Sequence, residues 1–251
     1  MRLLIDIGNT RIKWATLTRE GLGVRSAQAY SDWDQARFTQ RVLDSSPPPE
    51  RVLVSNVAGE AAAKLVREAV ANQWGLETEF VDSTAEACGV RNAYAQPANL
   101  GVDRWLSLIA VHGLRPGLTC IVGIGTAMTI DGLDASGRHL GGAIVPGPDL
   151  MVDSLLRNTS DIARRAEQGR SGEGLFADNT LAAIQQGAAH ALAALVERAC
   201  DMLRAQAGTA PTLILSGGSA AAIGQLLHRQ YDALPDLVLQ GLARWSNCHP
   251  G

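Results

Sequence analysis

Leu3-Leu4-Ile5-Asp6-Ile7-Gly8-Asn9-Thr10-Arg11-Ile12-Lys13-Trp14 is the stretch around which the chain is organised. Leu3 to Ile5 is an apolar run that reads as a buried strand. Gly8, Asn9 and Thr10 are turn residues, and Arg11 to Leu17 returns to an extended pattern. A tight hairpin with an acid before its tip and Gly-Asn-Thr at the tip suits a polyphosphate. Glycine lets the backbone approach closely, while successive N–H groups and the Thr10 hydroxyl surround anionic oxygens. Asp6 is the hard oxygen ligand that Mg²⁺ needs beside such phosphates. Taken alone, the same residues also fit an ordinary hairpin with an acid in its first strand.

The arrangement occurs twice. Cys120 to Ala127 is a second buried strand leading into small residues, Met128 to Leu133 is extended, Asp134 to Gly137 is a turn, and His139 to Val145 is extended. Placed over the opening, Ile124-Gly125-Thr126 falls on Ile7-Gly8-Asn9. Strand, polar turn, strand, turn, strand is thus repeated, and Arg115-Pro116-Gly117 breaks the chain before the repeat. The expected organisation is α/β with two similar lobes, residues 1–116 and 117–251, and a nucleotide held between them by the two turns.

Between these meanders the periodicity predicts helices. Ser31-Asp32-Trp33-Asp34 has capping-box spacing before a helix to about Ser45, and Glu60 to Trp74 is amphipathic. Val102 to Leu114 and Asn179 to Gly208 are further helices, with shorter ones at Asp149–Asn158, Ala220–His228 and Asp236–Trp245. Arg51 to Asn56 and Thr212 to Leu215 read as buried strands, and Val24 to Tyr30 as a third strand of the first lobe. Arg164 to Asp178 is polar and Gly-rich and reads as a mobile loop.

Composition narrows the function. Of 251 residues, 46% are hydrophobic and 19% charged, enough apolar material for a sizeable core. The net charge of −3 and the scattered Lys and Arg residues argue against a nucleic-acid surface. Cys88, Cys120, Cys200 and Cys248 form no CxxC pattern, so each reads as a small buried apolar residue in a reducing compartment. Only three apolar residues precede Asp6, too few for a signal-peptide core, and no run of 18 apolar residues occurs. A cytoplasmic protein is expected. His112, His139, His190, His228 and His249 lack metal-ligand spacing. There is no G-x-x-x-x-G-K-[ST] loop, and the dinucleotide-like start at Gly123-Ile124-Gly125 lacks its third glycine and its helix.

Asn92 to Trp105 is the other informative stretch. Gly101 permits a sharp turn, and Asp103-Arg104 fall in the first turn of the following helix. A carboxylate beside a guanidinium at a helix N-terminus stays ionised; it can accept a proton from an alcohol while the guanidinium grips an anionic group. Helix capping by Asp103 with Arg104 on the surface is the plainer alternative. Gly217-Gly218 fits either an approach to adenine or a tight turn.

Several motifs together resemble type III pantothenate kinases. Asp6-x-Gly8-Asn9-Thr10-x-x-Lys13 is similar to their first phosphate motif, and Gly125-Thr126-Ala127-x-Thr129-Ile130-Asp131 to their second. Tyr94 with Pro97 and Gly101-x-Asp103-Arg104 is similar to their pantothenate motif. Gly141-Gly142, Pro146-Gly147, Asn179-Thr180, Gly187, Gly217-Gly218 and Gly241-Leu242 follow in the family's order.

The resemblance implies a duplicated actin-like ATPase fold with two ribonuclease-H-like lobes, the nucleotide in the cleft between them, and a homodimer. It also implies phosphorylation of pantothenate by ATP with Mg²⁺, the first step towards coenzyme A. Carried over residue by residue, Asp6, Ile7, Gly8, Asn9, Thr10, Arg11, Ile12, Lys13 and Thr126 would bind ATP, with Asp6 facing Mg²⁺ directly or through water. Tyr94, Gly101, Val102, Asp103, Arg104 and Thr180 would bind pantothenate, and Asp103 would be the catalytic base. One departure is chemical: the family commonly has Asp where this chain has Gly123, and that Asp helps bind K⁺ or NH₄⁺. The alternatives are a non-catalytic nucleotide-binding regulator and a kinase of the same fold for another small alcohol.

Overall fold

The fold is described from a computed structural model, in which residues 1–166, 172 and 174–250 are described. The chain divides into two compact units: Met1–Pro116 with Ser136–His139 and Asp236–Gly251, and Gly117–Ala135 with Leu140–Pro235.

The first unit is built on β1 (Arg2–Ile7) and β2 (Arg11–Thr18), followed by β3 (Gly21–Leu22) and β4 (Ser26–Ala29). The expected strand at 24–30 is thus the shorter β4, with the two-residue β3 ahead of it, and both pair with β2. Helix α1 (Gln35–Phe38) runs straight into a π-helical turn over Thr39–Leu43. Its cap is Asp34, which accepts from Arg37 N–H, rather than Ser31. Trp33 N–H donates to Tyr30 C=O and the Trp33 ring packs edge-on against Tyr30 and Phe38, so a tight turn occupies the residues where the helix would otherwise start. Then come β5 (Arg51–Asn56), α2 (Glu60–Trp74) and β6 (Thr78–Phe80). Helix α2 has the predicted bounds, and Gly75 ends it in the left-handed conformation that glycine adopts without strain.

The stretch 83–99 contains a two-residue hairpin, β7 (Glu86–Ala87) with β8 (Val90–Arg91), before α3 (Val102–Leu114). The sheet order is β3-β2-β1-β5-β6: β1 is antiparallel to β2 and parallel to β5, and β5 is parallel to β6.

The second unit repeats this plan with β9 (Thr119–Ile124), β10 (Ala127–Leu133), β11 (His139–Pro146), β12 (Thr212–Ser216) and β13 (Asp232–Ala233), in the order β11-β10-β9-β12-β13. Again the first two strands are antiparallel and the next two parallel to the first. Its helices are α4 (Pro148–Asn158), α5 (Ser160–Ala166), α6 (Thr180–Ala207) and α7 (Ala220–Gly224). α5 occupies the start of the stretch expected as a loop from 164 to 178; residues 167–171 and 173 of that stretch lie outside the described residues. Asn179 caps α6 through Ala182 N–H, and Gly208 closes it.

The last helix, α8 (Leu237–Cys248), was expected in the second lobe but groups with the first unit. Leu239 and Leu242 are buried with Leu4, Leu53 and Leu106. Gly241 allows the close approach to α3, because a Cβ there would stand 2.1 Å from Leu106 O. The cysteines, far apart in sequence, meet in pairs: Cys120 with Cys200 in the second core, and Cys88 with Cys248 in the first unit. Among the described residues no three His, Cys, Asp or Glu side chains cluster to hold a metal. No described helix is long and apolar enough to cross a membrane.

Candidate functional site

The first polar turn is a four-residue loop. Ile7 faces Ile12 across the hairpin, and Gly8 N–H donates to Arg11 C=O at 3.0 Å. Ile7 and Ile12 are 0% and 1% exposed, so they offer a ligand only their backbone; Asn9, Thr10 and Arg11 are exposed. Tyr30, which the sequence did not single out, donates its hydroxyl to Gly8 C=O at 2.7 Å and fixes the turn from below. Only the long separation of Tyr30 from Gly8 hid it. Val57 N–H, just past β5, donates to Ile7 C=O at 3.0 Å and braces the same turn.

Asp6 is buried, its Cα paired with Lys13 on β2 and Ser55 on β5. Burial pushes its carboxyl up from 3.8 to about 7, against the lowering influence of Lys13; the Asp103 charge raises it further. The first hairpin and the N-terminus of α3, ninety-odd residues apart, are therefore close enough to interact electrostatically. Lys13 is half-buried rather than solvated. Its Nζ lies 3.4 Å from Asp236 Oδ1, the carboxylate whose Oδ2 also faces Arg25 Nε at 3.9 Å.

At α3, Asp103 Oδ1 accepts from Arg104 N–H at 2.9 Å. A Cβ at Gly101 would stand 2.6 Å from that oxygen, so the glycine is what lets the carboxylate fold back over the helix start. Arg104 is 4% exposed. Its Nη1 donates to Tyr94 Oη at 2.9 Å, and its guanidinium lies 5.7 Å from the centre of the Tyr94 ring. Tyr94 stacks on His139 with centroids 6.1 Å apart, and Ala93 N–H donates to His139 Nδ1 at 3.4 Å. His139 thus belongs to the same group as Tyr94, Asp103 and Arg104. No local sequence signal marks it, because the β10–β11 turn brings it there. Val102 is half-buried at the start of α3.

In the second unit the turn is one residue shorter, since Ile124 pairs with Met128 and Gly125 N–H donates to Ala127 C=O at 3.0 Å. Thr126 is exposed on it. Two glycines brace this turn. Gly217, at φ +102°, would place a Cβ 2.2 Å from Ile124 O, and Gly147 would place one 2.1 Å from Gly125 O. Gly147 N–H donates to Thr126 C=O at 2.8 Å. Gly217 is therefore explained as a tight turn against the polar loop. Gly123 holds the position of Asp6, paired with Thr129 and Ser216; a Cβ there would lie 3.0 Å from Thr129 Oγ1. Thr180 sits half-buried in the first turn of α6.

Two copies of one sheet plan, each with a polar turn between its first antiparallel strands, define the actin-like ATPase and sugar kinase class. Solved structures agree. A conserved protein from Campylobacter jejuni described as a Baf family transcriptional activator matches with TM-score 0.58 and 21% identity, over 98% of this chain and 97% of that one. The activator of 2-hydroxyisocaproyl-CoA dehydratase from Clostridium difficile, with bound ADPNP, matches with TM-score 0.55 and 13% identity, over 98% and 93%. Within that class the type III pantothenate kinase model matches residues 2–202. The type III pantothenate kinase of Nitrosococcus oceani is 37% identical over 249 residues, covering 97% of this chain and 93% of that protein. The chain belongs to the type III pantothenate kinase family.

Proposed function

We propose that this chain transfers the γ-phosphoryl group of ATP to the primary hydroxyl of pantothenate, giving 4′-phosphopantothenate and ADP, with Asp103 as proton acceptor. What supports the assignment of roles is that the buried Asp6 carboxyl is raised in part by the Asp103 charge, so that the hairpin acid and the carboxylate at the helix N-terminus are within electrostatic reach. Asp6, Ile7, Gly8, Asn9, Thr10, Arg11, Ile12, Lys13 and Thr126 are assigned to ATP, with Ile7 and Ile12 acting through backbone only.

Asp103 takes the hydroxyl proton as the oxygen attacks phosphorus and the bond to the ADP oxygen breaks. The Arg104 side chain, held by Tyr94, anchors the polar end of pantothenate, and Gly101, Val102 and Thr180 complete the substrate contacts. Phosphoryl transfer requires mainly alignment and charge neutralisation, the roles assigned to these residues. Asp6 is the single buried acid at the hairpin, and one carboxylate fits a Mg²⁺ ion that keeps water and phosphate oxygens as its other ligands. When bound, that ion neutralises developing charge on the phosphates.

A homodimer is proposed as well. Ile144, Leu150 and Leu155 on β11 and α4, with Leu175 and Phe176, expose large apolar side chains on the second unit. A cytoplasmic location accords with the free thiols of all four cysteines. With Gly123 in place of the acid, activity is proposed to depend less on K⁺ or NH₄⁺ than in relatives that carry it.

Purified protein with ATP, Mg²⁺ and pantothenate, assayed with K⁺, NH₄⁺ or neither, tests the reading. Turnover is expected, and Asp103→Asn should lower it by about 10²–10⁴-fold while leaving ATP binding nearly intact. ATP binding without turnover under any cation would instead favour a regulatory role.

A further inference from the structure

A cavity of about 500 Å³ opens in the first unit between the β2–β3 hairpin, α3 and α8, away from the residues assigned to catalysis. Leu17, Leu22, Ala110 and Leu114 give it an apolar wall, Arg25 and Arg244 are charged residues lining it, and among the described residues no Asp or Glu lines it. The Arg244 guanidinium lies against Gly113, where a Cβ would overlap it at 2.1 Å, so glycine makes room for the cation. Arg244 Nε is buried and has no hydrogen-bond partner among the described residues. A buried guanidinium N–H without an acceptor is costly, and an anion is the partner that relieves it. Volume and lining match a small ligand with one anionic head and a short apolar tail.

Arg25 also links the cavity to the phosphate hairpin. It shares the Asp236 carboxylate with Lys13, at 3.9 and 3.4 Å respectively. An anion that engages Arg25 leaves Asp236 to Lys13 and holds that amine away from phosphate.

We propose that this cavity binds a small amphipathic anion, an alkyl phosphate or short acyl carboxylate, and that its occupancy weakens ATP binding through Asp236. The probes are hexyl phosphate, hexanoate and uncharged 1-hexanol. Calorimetric titration of the full chain is done with Mg²⁺, pantothenate and a non-hydrolysable ATP analogue all saturating, so that the substrate sites are filled. Hexyl phosphate or hexanoate should bind, with 1-hexanol at least tenfold weaker, and the bound anion should slow maleimide labelling of the exposed Cys248 thiol at the cavity edge. Arg244→Gln should lower the anion's affinity at least tenfold. Ala243→Leu, which fills the cavity without touching its charge, should do the same and serves if Arg244→Gln fails to fold. In wild type, saturating hexyl phosphate should raise the Kd of the ATP analogue at least threefold, and in Arg244→Gln leave it unchanged. Equal binding of 1-hexanol, an affinity untouched by both substitutions, or an unmoved Kd for the analogue would each overturn the proposal.

Discussion

In the first unit the strand before the polar turn ends in Asp6-Ile7, and in the second in Gly123-Ile124; register pairs both sites with a serine on the next parallel strand, Ser55 and Ser216. The hairpins differ at three points. The first has a four-residue loop and the second a three-residue one. The first carries a buried acid where the second has only the Thr129 hydroxyl nearby. The first turn is braced by hydrogen bonds from Tyr30 and Val57, whereas the second receives one from Gly147 N–H and is in addition packed against the bare backbones of Gly147 and Gly217. One scaffold thus supports two solutions: a charged turn secured by hydrogen bonds, and an uncharged turn secured by a hydrogen bond together with close packing that only glycine permits. Charge chemistry is concentrated in one copy, and steric precision in the other.

Substitutions that exchange these properties should show how far the difference matters. Asp6→Asn has the largest expected effect. Removing the carboxylate should cut kcat/KM for ATP by about 10²–10³-fold, the scale of losing one electrostatic group at a reacting phosphate. The same change should stabilise the ligand-free protein at pH 8. The unfolded chain loses this proton near 3.8 while the folded chain keeps it to about 7, so wild-type stability falls as pH rises between those values and stays low above them. The loss amounts to as much as about 4 kcal/mol, and urea titrations from pH 4 to 8 should find the fall reduced in Asp6→Asn. An identical pH slope in the variant would show that burial does not tax Asp6.

Gly217→Ala should be next. Its backbone at φ +102° and the 2.2 Å overlap with Ile124 O together predict a loss of about 3 kcal/mol or more in urea unfolding. Asn56, the matching position at the end of β5, donates to Gly59 C=O and accepts from Ala58 N–H, so Asn56→Ala should cost only about 1 kcal/mol. Equal costs would dissolve the distinction between the two bracing modes. Tyr30→Phe should also lose about 1 kcal/mol and raise KM for ATP more than it lowers kcat, because the hydroxyl holds Gly8 rather than any reacting atom. Gly123→Asp should change stability by no more than about 1.5 kcal/mol, since Thr129 must give way only slightly. Its value is chemical: the ratio of rates with and without K⁺ should rise several-fold. A ratio equal to wild type would mean that the acid alone does not build a cation site on this turn.

Much of the architecture is legible locally. Helices α2, α3 and α6 appear with their predicted limits because apolar period, a glycine or asparagine at the ends and the absence of proline all agree. The duplicated hairpin is legible for the same reason: buried runs flanking Gly-Asn-Thr and Gly-Thr leave few alternatives. The helix expected from Ser31 begins only at Gln35 because tertiary packing intervenes, since Trp33 is 9% exposed and a turn at Tyr30 delivers it to the core. Lys13 reads as a strand lysine, yet its partner Asp236 is more than two hundred residues away. His139 carries no motif, and its place under Tyr94 depends on a turn from the second meander.

Sequence by itself determined most of the strand and helix pattern, the two polar turns and the charged groups at Asp6, Asp103 and Arg104, because each rests on residue type within a few positions. Tertiary structure alone decided which of these groups act on one another. It buried Asp6 within reach of Asp103 and raised its carboxyl to about 7, tied Lys13 to Asp236, and docked α8 on α3 through Gly241. Coulomb and desolvation energies depend on distance and burial, and those are set by contacts between segments far apart in the chain.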